Sequence, residues 1–182
     1  MQVKGSMMMF VVKGVRAAGP EHFYPLLTDE DRRFLTQRIL PINWYPFDNY
    51  KRLFDSLVSV VARGNTQTVR QWGRDYGSAI LEGVYRSVII PGNPHRSLKN
   101  YEQRFGSFYD FGKLEVTETG PGSAELEIRN FDPSWTAIYE MISGWLERTV
   151  ELAGGKNPRI DFKARSWAGD PTTIYRISWQ AE

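Results

Sequence analysis

The spacing of apolar residues first changes near Gly106 of this 182-residue chain, and no other feature restricts the fold as much. Up to that point apolar positions recur every three or four residues, the period of helices with one buried face. Beyond it, Leu114-Glu115-Val116-Thr117 and Ala124-Glu125-Leu126-Glu127-Ile128-Arg129 alternate apolar with polar around Gly120-Pro121-Gly122-Ser123, which predicts a hairpin with one wet face. Arg159-Ile160-Asp161-Phe162-Lys163-Ala164 and Thr173-Ile174-Tyr175-Arg176-Ile177-Ser178-Trp179 alternate likewise around Gly169-Asp170-Pro171, a second hairpin. Between the hairpins the helical period returns for one stretch. Asp132 suits an N-cap and Pro133 the first helical position. Trp135, Ile138, Ile142, Trp145, Leu146, Thr149 and Leu152 form a broad stripe, and Gly154-Gly155 is the stop. The fold class is therefore α+β: a helical N-terminal half packed on a four-stranded antiparallel sheet, the C-terminal half running strand-strand-helix-strand-strand.

The helical half divides at its punctuation. Residues 3–13, a short apolar run between Lys4-Gly5 and Lys13-Gly14, predict a buried strand or an extended arm. Thr28-Asp29-Glu30-Asp31 opens a first helix that runs to Leu40, where Pro41 stops it. Trp44-Tyr45-Pro46 makes an aromatic corner, and Tyr50, Leu53, Phe54, Leu57 and Val61 mark a second helix ending at Gly64, paired with the first as a hairpin. A third helix extends from Thr66 to about Ile90, with Val69, Trp72, Tyr76, Ile80 and Val84 on one face. Gly73, Gly77 and Gly83 lie inside it; glycine costs about 1 kcal/mol relative to alanine there, so a close contact is expected to compensate. Asn93-Pro94 begins a fourth helix that packs Leu98, Tyr101 and Phe105 and ends at Gly106. A chain of this length buries about two-thirds of its unfolded surface. With no long linker present, one domain over residues 1–182 is expected, 1–106 mainly helical and 107–182 two hairpins around one long helix.

Composition removes several function classes. The absence of cysteine excludes disulfides, thiolate metal sites and cysteine nucleophiles. Lysine and arginine exceed aspartate and glutamate by only two, with no dense polybasic block, so neither nucleic acid nor a membrane is expected as a partner. Arg96, Lys99, Tyr101, Arg104 and Phe105 interleave cations with aromatics, but Glu102 interrupts them and both aromatics fall at core spacing. Only two histidines, His22 and His95, are available, with no metal-ligand spacing, and no Gly-x-Ser-x-Gly elbow occurs. Glu82, Glu140, Glu147 and Glu151 read as wet faces of helices. No catalytic residue and no metal ligand is predicted. The apolar run Met7–Val12 is too short to span a membrane, and the expectation is a cytoplasmic protein.

Lys4-Gly5, Trp44-Tyr45-Pro46 with Tyr50, Gly73-Arg74, Gly112, Gly144 with Glu147, Ala153-Gly154-Gly155, Gly169-Asp170 and the closing Tyr175-Arg176-Ile177-Ser178-Trp179 together carry a resemblance that spans nearly the whole chain. The chain resembles the uncharacterised proteins found as many paralogues in myxobacteria, which are distantly similar to the vinyl-reductase-type domain, the TRAPP small subunits and the heme-NO-binding (H-NOX) domain. The resemblance implies the same helical half on a four-stranded sheet and brings no established activity. Similarity to H-NOX would bring heme, held by a proximal histidine and a Tyr-x-Ser-x-Arg motif. Here Tyr76-Gly77-Ser78-Ala79-Ile80 and Tyr85-Arg86-Ser87-Val88-Ile89 both lack the arginine. His95, where a proximal histidine would be sought, stands in the first turn of a short helix. The cysteines of the other two relatives are missing altogether. No cofactor is predicted.

Trp44, Tyr45, Trp72, Tyr76, Tyr139 and Trp145 remain as candidate ligand-binding residues: they line an apolar pocket between helices and sheet if there is a gap, and fill the core if there is none. The reading is a non-enzymatic regulatory or protein-interaction module that binds a partner protein or itself. The alternative is a sensor of an apolar small molecule.

Overall fold

A computed structural model describes residues 1–83 and 85–180; Val84, expected on the apolar face of the third helix, lies outside the described residues. The element order is β1 (Gln2–Lys4), α1 (Gly5–Ala17), α2 (Asp29–Phe34), β2 (Trp44–Pro46), α3 (Phe47–Val60), α4 (Thr66–Leu81), α5 (Pro94–Arg104), β3 (Lys113–Gly120), β4 (Ser123–Arg129), α6 (Thr136–Leu152), β5 (Lys156–Ala164) and β6 (Thr173–Gln180). The chain forms two compact units. The first comprises Met1–Thr66 with Gly106–Phe111, the second Gln67–Phe105 with Gly112–Glu182.

In the first unit α1 packs on α3. Residues 3–13 are not the expected strand or arm. Only Gln2–Lys4 is extended, pairing antiparallel with β2 and bridging to Tyr109, and a helix begins at Gly5. Met7, Met8, Val11, Val12 and Val15 are its buried face, at helical spacing that the unbroken run of apolar residues conceals. The Thr28 cap is as expected: its hydroxyl accepts the Asp31 N–H while the Asp31 carboxylate accepts the Thr28 N–H. The helix it opens ends at Phe34, not Leu40. Arg16, in the last turn of α1, donates to the carbonyls of Phe34, Leu35 and Gln37, and so holds the chain in an open turn instead of a continuing helix. Val61 lies just past α3 and is exposed, not on its buried face.

In the second unit the sheet order is β3-β4-β6-β5, all antiparallel, so the two hairpins meet along β4 and β6. Val116, Leu126, Tyr175 and Phe162 stand in register across it. Their face carries the buried residues, while Glu115, Thr117 and Arg176 on the other face are exposed, the alternation the sequence predicts. α6 packs against β5 and α5. It begins at Thr136, three residues later than the Asp132 cap predicts. The Asp132 carboxylate accepts the N–H and hydroxyl of Ser134, closing a tight turn that precedes the helix and does not start it. Its stop is as expected, with Gly154 at φ 96°. α4 ends at Leu81, well short of Ile90. Gly83 and Tyr85 both donate N–H to the Ile80 carbonyl, which closes the helix, and a single 3₁₀ turn follows at Arg86–Val88. Asn93 caps α5 by accepting the Arg96 N–H.

Candidate functional site

The six candidate aromatics divide between the two units. In the first, Trp44 and Tyr45 stand on β2. Lys4 Nζ lies 4.5 Å from the Trp44 ring centre, and the Tyr45 hydroxyl accepts the Leu40 N–H at 2.9 Å while its ring meets Phe34 edge-on. In the second unit, Tyr76 of α4 and Trp145 of α6 are buried with ring centres 5.7 Å apart. Tyr101 of α5 also lies 5.7 Å from Trp145, so one indole joins three helices. Burial pushes the Tyr101 phenol well above its ordinary pKa, so it stays protonated. Tyr139 joins the same chain of rings through Phe131 and Phe105, which reach Tyr101. It stacks on Trp167 at 5.1 Å, and its hydroxyl donates to the Asp132 carbonyl at 2.8 Å. Trp72 is half-buried on α4, with no hydrogen bond or ring contact among the described residues. Tyr101, at core spacing on its helix, and Trp167, in a turn with no periodic signal, extend these ring contacts beyond the six candidates.

The α4–α6 crossing explains one glycine that the sequence left unexplained. A Cβ on Gly73 would run into the Met141 carbonyl oxygen, and a Cβ on Gly144 into that of Arg70. Each glycine admits the other helix's backbone, so the two helices touch main chain to main chain. Side chains too long to enter that crossing pair along its flank. Arg70 donates to Glu147 at 2.6 Å and to the Ile160 carbonyl of β5; Arg74 bridges Glu147 and Glu151; Arg148 reaches Ser78, Glu82 and Glu151. Three guanidinium groups thus meet three carboxylates, and the row carries no net charge. Of the carboxylates read as wet faces, Glu82, Glu147 and Glu151 belong to this network. Glu140, two turns before Glu147 on α6, accepts no hydrogen bond among the described residues; burial pushes its carboxyl up against the pull of Arg70 and Arg165.

His95 stands in the first turn of α5. Its Nε2 lies 3.0 Å from the Ser123 carbonyl oxygen, and its ring meets Trp179 edge-on at 4.7 Å. A proton on Nε2 satisfies that contact as a donor, which ties the start of α5 to the start of β4. His95 and Trp179 line a cleft of about 290 Å³ with Gly92, Asn93, Pro94, Pro121, Gly154 and Gly155. A larger open groove of about 790 Å³ runs past Leu81, Glu82, Arg86, Ser87, Ile89, Pro91 and Leu152, mostly apolar. Among the described residues no three histidine, aspartate or glutamate side chains gather as a metal site, and no helix is long and apolar enough to cross a membrane.

Solved structures share this architecture over nearly the whole chain. An Fe(II) unliganded H-NOX protein mutant from K. algicida is 14% identical, with 97% of this chain and 96% of that one covered, at TM-score 0.63. An oxygen-binding H-NOX domain related to soluble guanylate cyclases, solved as its oxygen complex, is 14% identical over 97% and 95% at TM-score 0.64. A mutant H-NOX from T. tengcongensis is 14% identical over 94% and 96% at TM-score 0.61. The fold is H-NOX-like. No curated protein matches the chain. The sequence pattern of the family described as "Protein of unknown function (DUF2378)" matches residues 35–180, most of the chain, and the chain belongs to that family.

Proposed function

We propose that this chain is a non-enzymatic regulatory module, an H-NOX-like fold whose output is contact with a partner protein or a second copy and whose working form holds no heme. The observation that carries this reading is the state of His95. Similar structures include an H-NOX oxygen complex and a study of heme distortion in the H-NOX family, so the fold makes heme the first group to try. The residues here do not fit it. The Nε2 of His95 is engaged by Ser123, and the ring is wedged on Trp179. Ser78 of the Tyr76-Gly77-Ser78 triplet lies on α4, where its hydroxyl accepts from Arg148, a guanidinium already committed to Glu82 and Glu151. No step is therefore routed through heme. What supports a regulatory role is a sensor-type architecture kept rigid by the α4–α6 backbone contact.

Native mass spectrometry of the protein purified from its own cells, with an absorbance spectrum on the same sample, tests this. The expected result is a homodimer or a defined complex with another protein, and no Soret band. A monomer that releases an unexplained small mass on denaturation would overturn it in favour of the second reading, an apolar small-molecule sensor. One observation favours that second reading: the groove past Leu81, Ile89, Pro91 and Leu152 has the volume and apolar lining of an ordinary small-molecule site.

A further inference from the structure

The first unit exposes apolar side chains on a part of the chain that is held rigid. Ile42 is 77% exposed, and Leu40 and Trp44 are also exposed, as are Pro41 and Pro46. Exposed apolar residues are ordinarily scattered, or sit on mobile loops. These sit on a turn pinned at both ends. The Asn43 N–H bonds back to the Leu40 carbonyl, the Leu40 N–H bonds to the Tyr45 hydroxyl, and the first N–H groups of α1, from Gly5 and Ser6, bond to the carbonyls of Asn43 and Pro41. The turn is thus the cap of α1, which has no side-chain cap of its own. Gly5 is required for it, because a Cβ there would strike the Leu40 carbonyl oxygen. A turn used only as a cap would need its carbonyls and could carry polar side chains; this one presents Leu, Pro, Ile and Trp to water.

Charge chooses the occupant. No carboxylate occurs from residue 32 to residue 47, while Arg33 and Arg38 are exposed and Lys4 lies over the Trp44 ring. Pro46 lacks the N–H that strand addition along β2 would use. An exposed apolar turn with a tryptophan at its end and cations nearby in the chain matches the boundary of an anionic bilayer, where apolar side chains enter between headgroups, indole rings settle at the interface and each nearby cation adds attraction.

We propose that the Leu40–Trp44 turn docks the protein on an anionic lipid surface, Ile42 and Leu40 inserting, Trp44 lying at the interface, and Lys4 and Arg38 meeting lipid phosphates. Apolar insertion carries the binding and charge selects the surface. This attachment does not depend on the protein contact proposed above.

The test is flotation of the full chain with phosphatidylglycerol–phosphatidylcholine vesicles and with phosphatidylcholine vesicles alone. Binding to the anionic vesicles is expected. Ile42→Asp should lower the partition coefficient about tenfold or more, since burying such a side chain is worth at least that factor. Arg38→Glu should lower it several-fold and flatten its salt dependence. Both sites are exposed, so the variants should fold, and a thermal melt verifies it. Absence of binding to anionic vesicles overturns the proposal, as does undiminished binding by folded Ile42→Asp. If Ile42→Asp instead disrupts a protein complex seen by native mass spectrometry while vesicles are never bound, the turn is a protein contact; the lipid proposal then fails and the regulatory reading stands.

Discussion

Asp31 in the first unit and Glu140 in the second are carboxylates withdrawn from water, and they respond in opposite ways. Burial pushes both upward. For Asp31 that push is overcome by hydrogen bonds from Arg52, from the hydroxyl and N–H of Thr28 and from the Asn49 amide, and its pKa ends below the ordinary carboxylate value. Glu140 feels Arg70 and Arg165 only across a distance, and its pKa stays raised. The fully buried group is thus the one whose charged form is favoured. Partners in contact, not depth, decide the ionisation. The signs follow for stability: the contribution of Asp31 is fully present above its unfolded pKa and is lost as pH falls through the lower folded value. Glu140 does the reverse, its contribution present below its unfolded pKa and lost as pH rises through the raised folded one.

The largest effect is expected from Arg52→Met, which leaves the buried Asp31 charge with neutral donors only. About 3 kcal/mol should be lost at neutral pH, the low end for breaking a buried pair because Arg52 itself is partly exposed. Urea denaturation across pH should show the loss shrinking in acid, as Asp31 is protonated in both proteins; a pH-independent loss would break the comparison. Gly73→Ala comes next. It should cost about 2 kcal/mol or more by forcing α4 from α6 and separating Arg70 and Arg74 from Glu147 and Glu151. Gly77→Ala, one turn on, meets Arg148 side-chain carbons only at ordinary contact distance, and should be neutral or stabilising by up to about 1 kcal/mol. Equal effects at the two glycines in thermal melts would show that the crossing is not close. Glu147→Gln, which weakens two ion pairs near the surface, should cost about 1 kcal/mol, and less in high salt. Smallest of all, Glu140→Gln should change stability by about 0.5 kcal/mol or less at neutral pH, in the stabilising direction. A clear destabilisation would mean that Glu140 has a partner in contact after all.

The same distinction separates what the sequence discloses from what it conceals. The strands and turns of the two hairpins and the Thr28 and Asn93 caps depend on residues near one another in the chain, and each stands where the local pattern puts it. The early end of α2 does not, since Arg16 takes carbonyls some twenty residues away. The end of α4 and the start of α6 are local but ambiguous: Ile80 accepts from Gly83 and Tyr85, and Asp132 closes a turn with Ser134 where it could equally well have capped a helix. Gly73 signalled a close contact but not its partner, since Gly144 is distant in sequence. Of the candidate site, the pairing of Tyr76 with Trp145 depends on that same crossing and lay beyond any periodicity. His95 was legible only as a helix-start residue; its commitment to Ser123 and Trp179 comes from the sheet.

Titration of hemin into the purified chain and its His95→Ala variant, followed by absorbance, tests that commitment most directly. Weak, non-saturating spectral change, the same in both proteins, is expected. A sharp Soret band saturating at one heme per chain in the wild type, and lost in His95→Ala, would contradict it.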